Sequence, residues 1–265
     1  MNKKGQVTIF VIVGILLVAI VGIFFLMKAD IIPTPGGENP DEDPVGYLET
    51  CIEAKVLEGK NLIMKNGGYT DFDKEPTMDF MAAGETESSE LAYLCYSSLG
   101  GEFPCVNQEP MLIQHLKTEL KDFVGEEVEE CWDKLMKSLT SKDNVVDTTE
   151  QTFEIRLTPN KIIVDIAGEL ILTKKGVPSV QKYFEVIIPS KFYDLAIVVQ
   201  EIVSQEGSEC SFDTLKYHQL HREYNFNVTT VSDGAEVYRV EHEKSKEEFT
   251  FAIKGCANPQ DLPTA

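Results

Sequence analysis

An uncharged run from Gly5 to Met27, entered through Met1-Asn2-Lys3-Lys4 and closed by Lys28, constrains this chain more than any other feature. At 1.5 Å of rise per residue, about 20 apolar residues carry a helix across the bilayer hydrocarbon. The run has that length. A secretory signal carries only about 7–15 apolar residues and ends in a small-x-small cleavage site. Met27-Lys28-Ala29-Asp30-Ile31 offers no such site, so the segment reads as a retained signal-anchor. Lys3, Lys4 and the amino terminus lie on one side, and Lys28 on the other is soon offset by Asp30. The positive-inside bias therefore leaves the N-terminus in the cytoplasm and everything after about residue 28 outside. No ionisable residue lies in the span, which argues against transport or proton relay. Gly14 and Gly22 are spaced too widely for a GxxxG helix pair.

Setting aside Lys3, Lys4 and Lys28 takes the formal charge from −20 to −23. So acidic a body repels nucleic acid and anionic headgroups, which excludes a nucleic-acid partner and leaves the N-terminal helix as the contact with the bilayer. All six cysteines fall outside the span. An even number in an exported domain predicts disulfides, in any of 15 pairings. Helical periodicity narrows them. Leu48, Cys51, Ile52, Val56, Gly59 and Ile63 form one stripe, and Leu116, Leu120, Val124, Val128, Cys131, Leu135 and Leu139 form another. Both thiols face a core that the two helices can share, so Cys51–Cys131 is the expected pair. Cys95 and Cys105 flank a short loop with Gly100-Gly101 and Pro104, and Cys210 and Cys256 remain. With no CxxC or clustered Cys/His spacing, no metal and no cofactor is expected.

Residues 30–46, rich in Pro, Gly and acid, read as a stalk that neither buries a core nor holds a helix. Asp41-Glu42-Asp43 within it reads as solvated acid. A helix is expected over Tyr47–Lys65, stopped by Asn66-Gly67-Gly68. Tyr69–Thr86 reads mostly as loop, Leu91–Ser97 as strand or short helix, and Pro110–Leu139 as helix with a bend at Gly125. The period then drops to two. Phe153-Ile155-Leu157, then Ile162-Val164-Ile166-Leu170-Leu172, then Val180-Phe184-Val186-Ile188 predict a three-stranded meander. A helix follows from Pro189-Ser190, with the stripe Phe192, Leu195, Val199, Ile202 and Val203, and Ser211 reads as the cap of a second short one. Tyr224-Phe226-Val228, Tyr238-Val240 and Phe249-Phe251-Ile253 predict a second meander.

No residue pattern for catalysis stands out. His218-x-x-His221 with Glu223 lacks the HExxH arrangement and reads as a polar helix end. Ser179-x-x-Lys182 has a nucleophile–base spacing, but on a strand those side chains point to opposite faces. Tyr93 and Tyr96 read as core or loop packing before exposed binding aromatics. Scattered carboxylates neither single out nor exclude a glycosidase-like acidic pair. Asn227-Val228-Thr229 is the one N-glycosylation sequon. Asn227 alternates with apolar neighbours and is expected to face water; whether it carries sugar or is a plain polar strand residue stays open.

Lys3-Lys4-Gly5-Gln6 directly before the apolar span resembles the class III signal of archaeal type IV pilins and related surface proteins. That resemblance implies cleavage between Gly5 and Gln6, with the apolar segment kept as a helical stem. In those pilins the fifth mature position is often a glutamate that pairs with a neighbour's amino terminus; here it is Phe10, so that filament contact is missing. The chain is also similar to single-pass surface proteins of small-genome archaea. The matching pieces are Lys3–Phe10, Glu49-Thr50-Cys51-Ile52, Gly67-Gly68-Tyr69, Glu130-Cys131 and Phe249-Thr250-Phe251-Ala252. The resemblance implies location and architecture, and no activity.

The expected organisation is a cytoplasmic tip and anchor (1–28), a stalk (29–46), an extracytoplasmic α+β domain (47–257) and a tail (258–265). Within the domain, a helical part (47–140) would pack on antiparallel sheet from a sheet-rich part (150–256). The expected role is a non-catalytic structural, adhesive or assembly function at the cell surface, with other surface or membrane proteins as partners. The competing expectation is an anchored hydrolase of envelope polymers using carboxylates. A cleft with two facing carboxylates would favour the enzyme, and an exposed apolar patch would favour assembly.

Overall fold

The computed structural model describes residues 40, 42–72, 76–81, 88–98, 104–140, 145–148, 151–174 and 177–255. The anchor, most of the stalk, Gly5, Gln6, Cys256 and the tail lie outside the described residues. No described helix is long and apolar enough to cross a membrane.

The first helix, α1 (Pro44–Lys65), begins three residues before the expected start. Asp43 accepts a hydrogen bond from the Gly46 N–H at 2.9 Å, and Pro44 supplies a φ already suited to the first turn. Residues 44–46, read as stalk, thus form the helix's opening turn. At the other end Gly67 takes φ +78°, and the Gly68 N–H reaches back to the Ile63 carbonyl at 2.8 Å. That left-handed closure is the stop expected from Asn66-Gly67-Gly68. Helix α2 (Leu112–Thr140) runs through Gly125 as one continuous helix. Its full stripe from Leu116 to Leu139 is buried, and α1 packs along it.

Two sheets cover the helices. The larger has β1 (Thr77–Phe80), β2 (Ser89–Tyr96), β3 (Val106–Asn107), β8 (Tyr224–Thr230), β9 (Glu236–His242) and β10 (Glu248–Lys254), in the order β1-β2-β10-β9-β8 with β3 on β2. The smaller comprises β4 (Val145–Thr148), β5 (Thr152–Thr158), β6 (Lys161–Lys174) and β7 (Val177–Pro189). Between them in sequence lie α3 (Phe192–Glu209) and α4 (Thr214–Leu220). The class is α+β. Both meanders form, β5-β6-β7 and β8-β9-β10, but each is extended. β4 lines up against β6 beyond β5. The second meander gains β2, which pairs with β10 in parallel, so the larger sheet is not purely antiparallel as expected. β1 also replaces part of the loop expected over 69–86.

One apolar core joins the stripes of α1, α2 and α3 to the inner faces of both sheets. Leu91, Tyr93, Ala235, Val237 and Ala252 form a second, smaller cluster. Tyr93 is buried there with Tyr96 beside it, at a ring-centroid separation of 5.2 Å. In β6 the register shifts between Ala167 and Leu170, where Gly168 meets the Trp132 ring; a Cβ there would stand 2.9 Å from two ring atoms. Val180 departs from its expected place in the core and is 53% exposed. Asp213, not Ser211, caps α4, accepting from the Lys216 N–H at 2.9 Å.

A half-buried carboxylate fastens three parts of the chain. Glu247, in the turn between β9 and β10, accepts from Lys60 Nζ at 2.6 Å, Ser190 Oγ at 2.7 Å and the Lys191 N–H at 2.7 Å. Burial alone would push its carboxyl up, but these donors outweigh burial and hold it below the usual value.

Cys51 is bonded to Cys131, with Cα atoms 5.9 Å apart, and Cys95 to Cys105, 5.2 Å apart. Cys210 is also disulfide-bonded; the expected partner, Cys256, lies outside the described residues. The first bond closes a sequence separation of 80 residues and the second one of 10. On chain entropy, removing Cys51–Cys131 by paired serine substitutions should cost about 4–5 kcal/mol, and removing Cys95–Cys105 about 3 kcal/mol. Guanidinium denaturation of the two variants should give the lower midpoint to the Cys51/Cys131 pair; the reverse order would reject the loop-length account.

Candidate functional site

Two features of the surface are unlike the rest. The first is β7. It pairs with β6 along one side, and no described strand occupies its other side. Phe184, Val186 and Ile188 point into the core, whereas Val177, Val180, Tyr183 and Ile187 stay 70%, 53%, 78% and 42% exposed. Its two charged residues are already matched: Lys182 lies 3.2 Å from Glu169, and Glu185 3.3 Å from Arg156, which also forks onto Asp165. A long edge with apolar side chains and no free charge lacks the devices that usually prevent strand addition.

The second is a cleft of about 460 Å³ between the end of α3 and the β8–β9 hairpin, with Phe212, Thr230 and Ser232 on its walls. Glu206 and Glu236 line it on either side of Tyr238. The Tyr238 hydroxyl donates to Glu206 Oε1 at 2.7 Å and lies 3.2 Å from Glu236 Oε2. Glu206 is 7% exposed and also accepts the Phe212 N–H. Burial raises its carboxyl above the usual 4.5, the nearby Glu236 charge adds to that, and the two hydrogen bonds oppose it. Tyr238 is held protonated by burial and by both carboxylates. A phenol has a single proton. The hydroxyl therefore donates to one carboxylate at a time, and its shorter contact is to Glu206. The two carboxyl oxygens lie within about 6 Å of each other, compatible with the separation of about 5–5.5 Å in retaining glycosidases.

Sequence reasoning missed this trio, though a signal existed. Glu206 continues the α3 stripe one step past Ile202 and Val203, a glutamate where the period calls for a core residue. Glu236 and Tyr238 sit two apart on β9 and so share a face.

The other candidates take plainer roles. His218 Nδ1 contacts the Tyr224 carbonyl at 2.8 Å, and His221 stacks on Tyr217 with its Nδ1 3.8 Å from Glu223. The two histidines are not brought together on a common ligand position. Ser179 and Lys182 both lie on strand β7, as expected, so they do not form the pair on one helical turn that the catalytic spacing would need. Cys51, Glu127 and Cys131 converge, but disulfide sulfurs carry no thiolate to bind a cation and no proton to share with Glu127. Asn227 lies exposed on β8. No protein-family model matches the chain, and neither does any curated protein or solved structure.

The raised carboxyl of Glu206 has a definite sign in stability. Folding favours its protonated form, so this contribution is complete below the unfolded value near 4.5 and is lost as pH rises through the higher folded value. The stability difference between wild type and Glu206→Gln should therefore move against the wild type as pH rises above 4.5. A pH-independent difference in denaturation free energy would refute the assignment.

Proposed function

We propose that this chain is a membrane-anchored protein of the cell surface with a non-catalytic structural, adhesive or assembly role. Its folded part would stand outside the cell on the segment 1–28 and a short acidic stalk. Bonded cysteines support that location: no described cysteine is free, and such cross-links persist in oxidising compartments. Resemblance of the N-terminus to class III, pilin-like signals of archaeal surface proteins supports cleavage between Gly5 and Gln6. The observation that carries the role is the open edge of β7, with Val177, Val180, Tyr183 and Ile187 exposed on a strand whose charges are paired.

Protease added to sealed cells should digest the acidic body while leaving cytoplasmic controls intact. Digestion only after lysis would reject the location. Chemical cross-linking of intact cells should capture the protein in assemblies, and Val180→Lys with Tyr183→Lys should abolish them. Both positions are exposed, so the variant should keep its unfolding temperature within about 2 °C, as surface changes do. Undiminished assemblies in the variant would reject the edge as the contact.

A second reading, a hydrolase of envelope polymers, is favoured by one observation: the Glu206–Tyr238–Glu236 cleft. If that reading holds, Glu236→Gln should lower turnover of purified envelope polysaccharide by at least about 100-fold, the scale of a general acid–base contribution. No release of reducing sugar by the wild type would reject it.

A further inference from the structure

Strand β8 forms the other end of the larger sheet, opposite β1. Among the described residues it pairs with β9 alone, through Asn227↔Arg239, Val228↔Tyr238 and Thr229↔Val237. Burial along it falls off steeply: Tyr224 is buried, while Asn227 through Thr230 are all exposed, on both faces of the strand. The turn that follows, Ser232-Asp233-Gly234, is exposed as well. Asn227 and Thr229 stand on one face, with Thr229 Oγ1 donating to Asn227 Oδ1 at 3.3 Å. Of the asparagines in the chain, Asn227 alone is followed two places on by Ser or Thr. The sequence thus puts its single acceptor motif at a place where an extended segment is open to an enzyme on both faces and along one edge. α4 holds the start of β8, where His218 meets the Tyr224 carbonyl and Tyr217 packs on Phe226, whereas the exposed stretch from Asn227 to Thr230 is held by the β8–β9 ladder.

We propose that Asn227 is a modification site that carries an N-linked oligosaccharide. The donor class is a lipid-linked oligosaccharide whose anomeric carbon is esterified to phosphate or diphosphate. The Asn227 amide nitrogen forms a bond to that carbon as the carbon–oxygen bond to phosphate breaks. The electron pair leaves with the lipid phosphate, and the amide proton passes to a base of the transferase. No oxidation or reduction occurs. Thr229 is the recognition hydroxyl, and Val228 between them satisfies the exclusion of proline. A sugar at this position would crowd the free side of β8 and hinder strand addition there. This inference rests on the proposed export of the folded part.

Intact-mass spectrometry of the full chain purified from its own membranes, with and without reductant, tests both and separates them. The wild type should exceed its sequence mass by one oligosaccharide, with glycopeptides mapping the addition to Asn227. Asn227→Gln and Thr229→Ala should lose that mass completely, while Thr229→Ser should retain it at reduced occupancy. A wild-type mass without sugar but with disulfides intact would overturn the modification and leave export standing. Free thiols throughout, with no sugar, would overturn both. Added mass that persists in Asn227→Gln and in Thr229→Ala would place the modification elsewhere and overturn the assignment.

Discussion

A single layer of helices serves two sheets at once, and the rest of the structure depends on that sharing. Each sheet has a face that must be kept from water, and neither could be covered by the other without helices between. α1 touches β7 in one sheet and β10 in the other; α3 likewise reaches β2, β9 and β10 as well as β5 and β6. The stripe of α2, Leu116 through Leu139, is fully buried and packs along α1. Cys51–Cys131 ties these two helices covalently at their shared seam. The helical and sheet-rich parts therefore hold one core in common, and neither has a hydrophobic interior of its own to fold around.

Two glutamates in this framework, Glu206 buried and Glu247 half-buried, show how surroundings decide what an acid does. Glu247 meets an ammonium, a hydroxyl and a backbone N–H, and these hold it ionised. Lys60 is only 5% exposed, so each charge of the pair depends on the other to offset its loss of water. The result is a rivet between α1, the approach to α3 and the β9–β10 turn. Glu206 instead meets a phenol, one N–H and a neighbouring acid, and burial prevails. It lines a cleft. The first is architecture; the second is chemistry in waiting under the hydrolase reading, and an interior hydrogen bond under the surface-protein reading.

The two sheets also end differently. β7 leaves apolar side chains beside an unpaired backbone, while β8 leaves polar ones, Asn227, Thr229 and Thr230, in the same situation. Strand edges add other strands unless something prevents it. On a body this acidic, copies repel one another, and a patch whose charges are internally matched adds least to that repulsion. β7 meets that condition through Lys182–Glu169 and Glu185–Arg156.

Local pattern alone determined much of this protein. The 3.6-residue stripes named the buried faces of α1, α2 and α3, and with them the thiols of Cys51 and Cys131 that meet across the helix pair. The two-residue period named both meanders, and Asn66-Gly67-Gly68 ended α1. These features were legible because one side of each element faces water, which leaves an alternation in the residues. What only the tertiary structure decided lay where that alternation is lost. Leu91–Cys95 is buried on both faces, so its unbroken apolar run carries no period, and the alternation Phe249-Phe251-Ile253 named β10 as a strand without announcing its parallel pairing with β2. Val180 keeps the period of its strand yet extends past the helices that would cover it. Glu236 and Tyr238 share a face of β9 by their spacing, but Glu206 joins them only when α3 lies against β9, a contact between segments distant in the chain that no local pattern specifies.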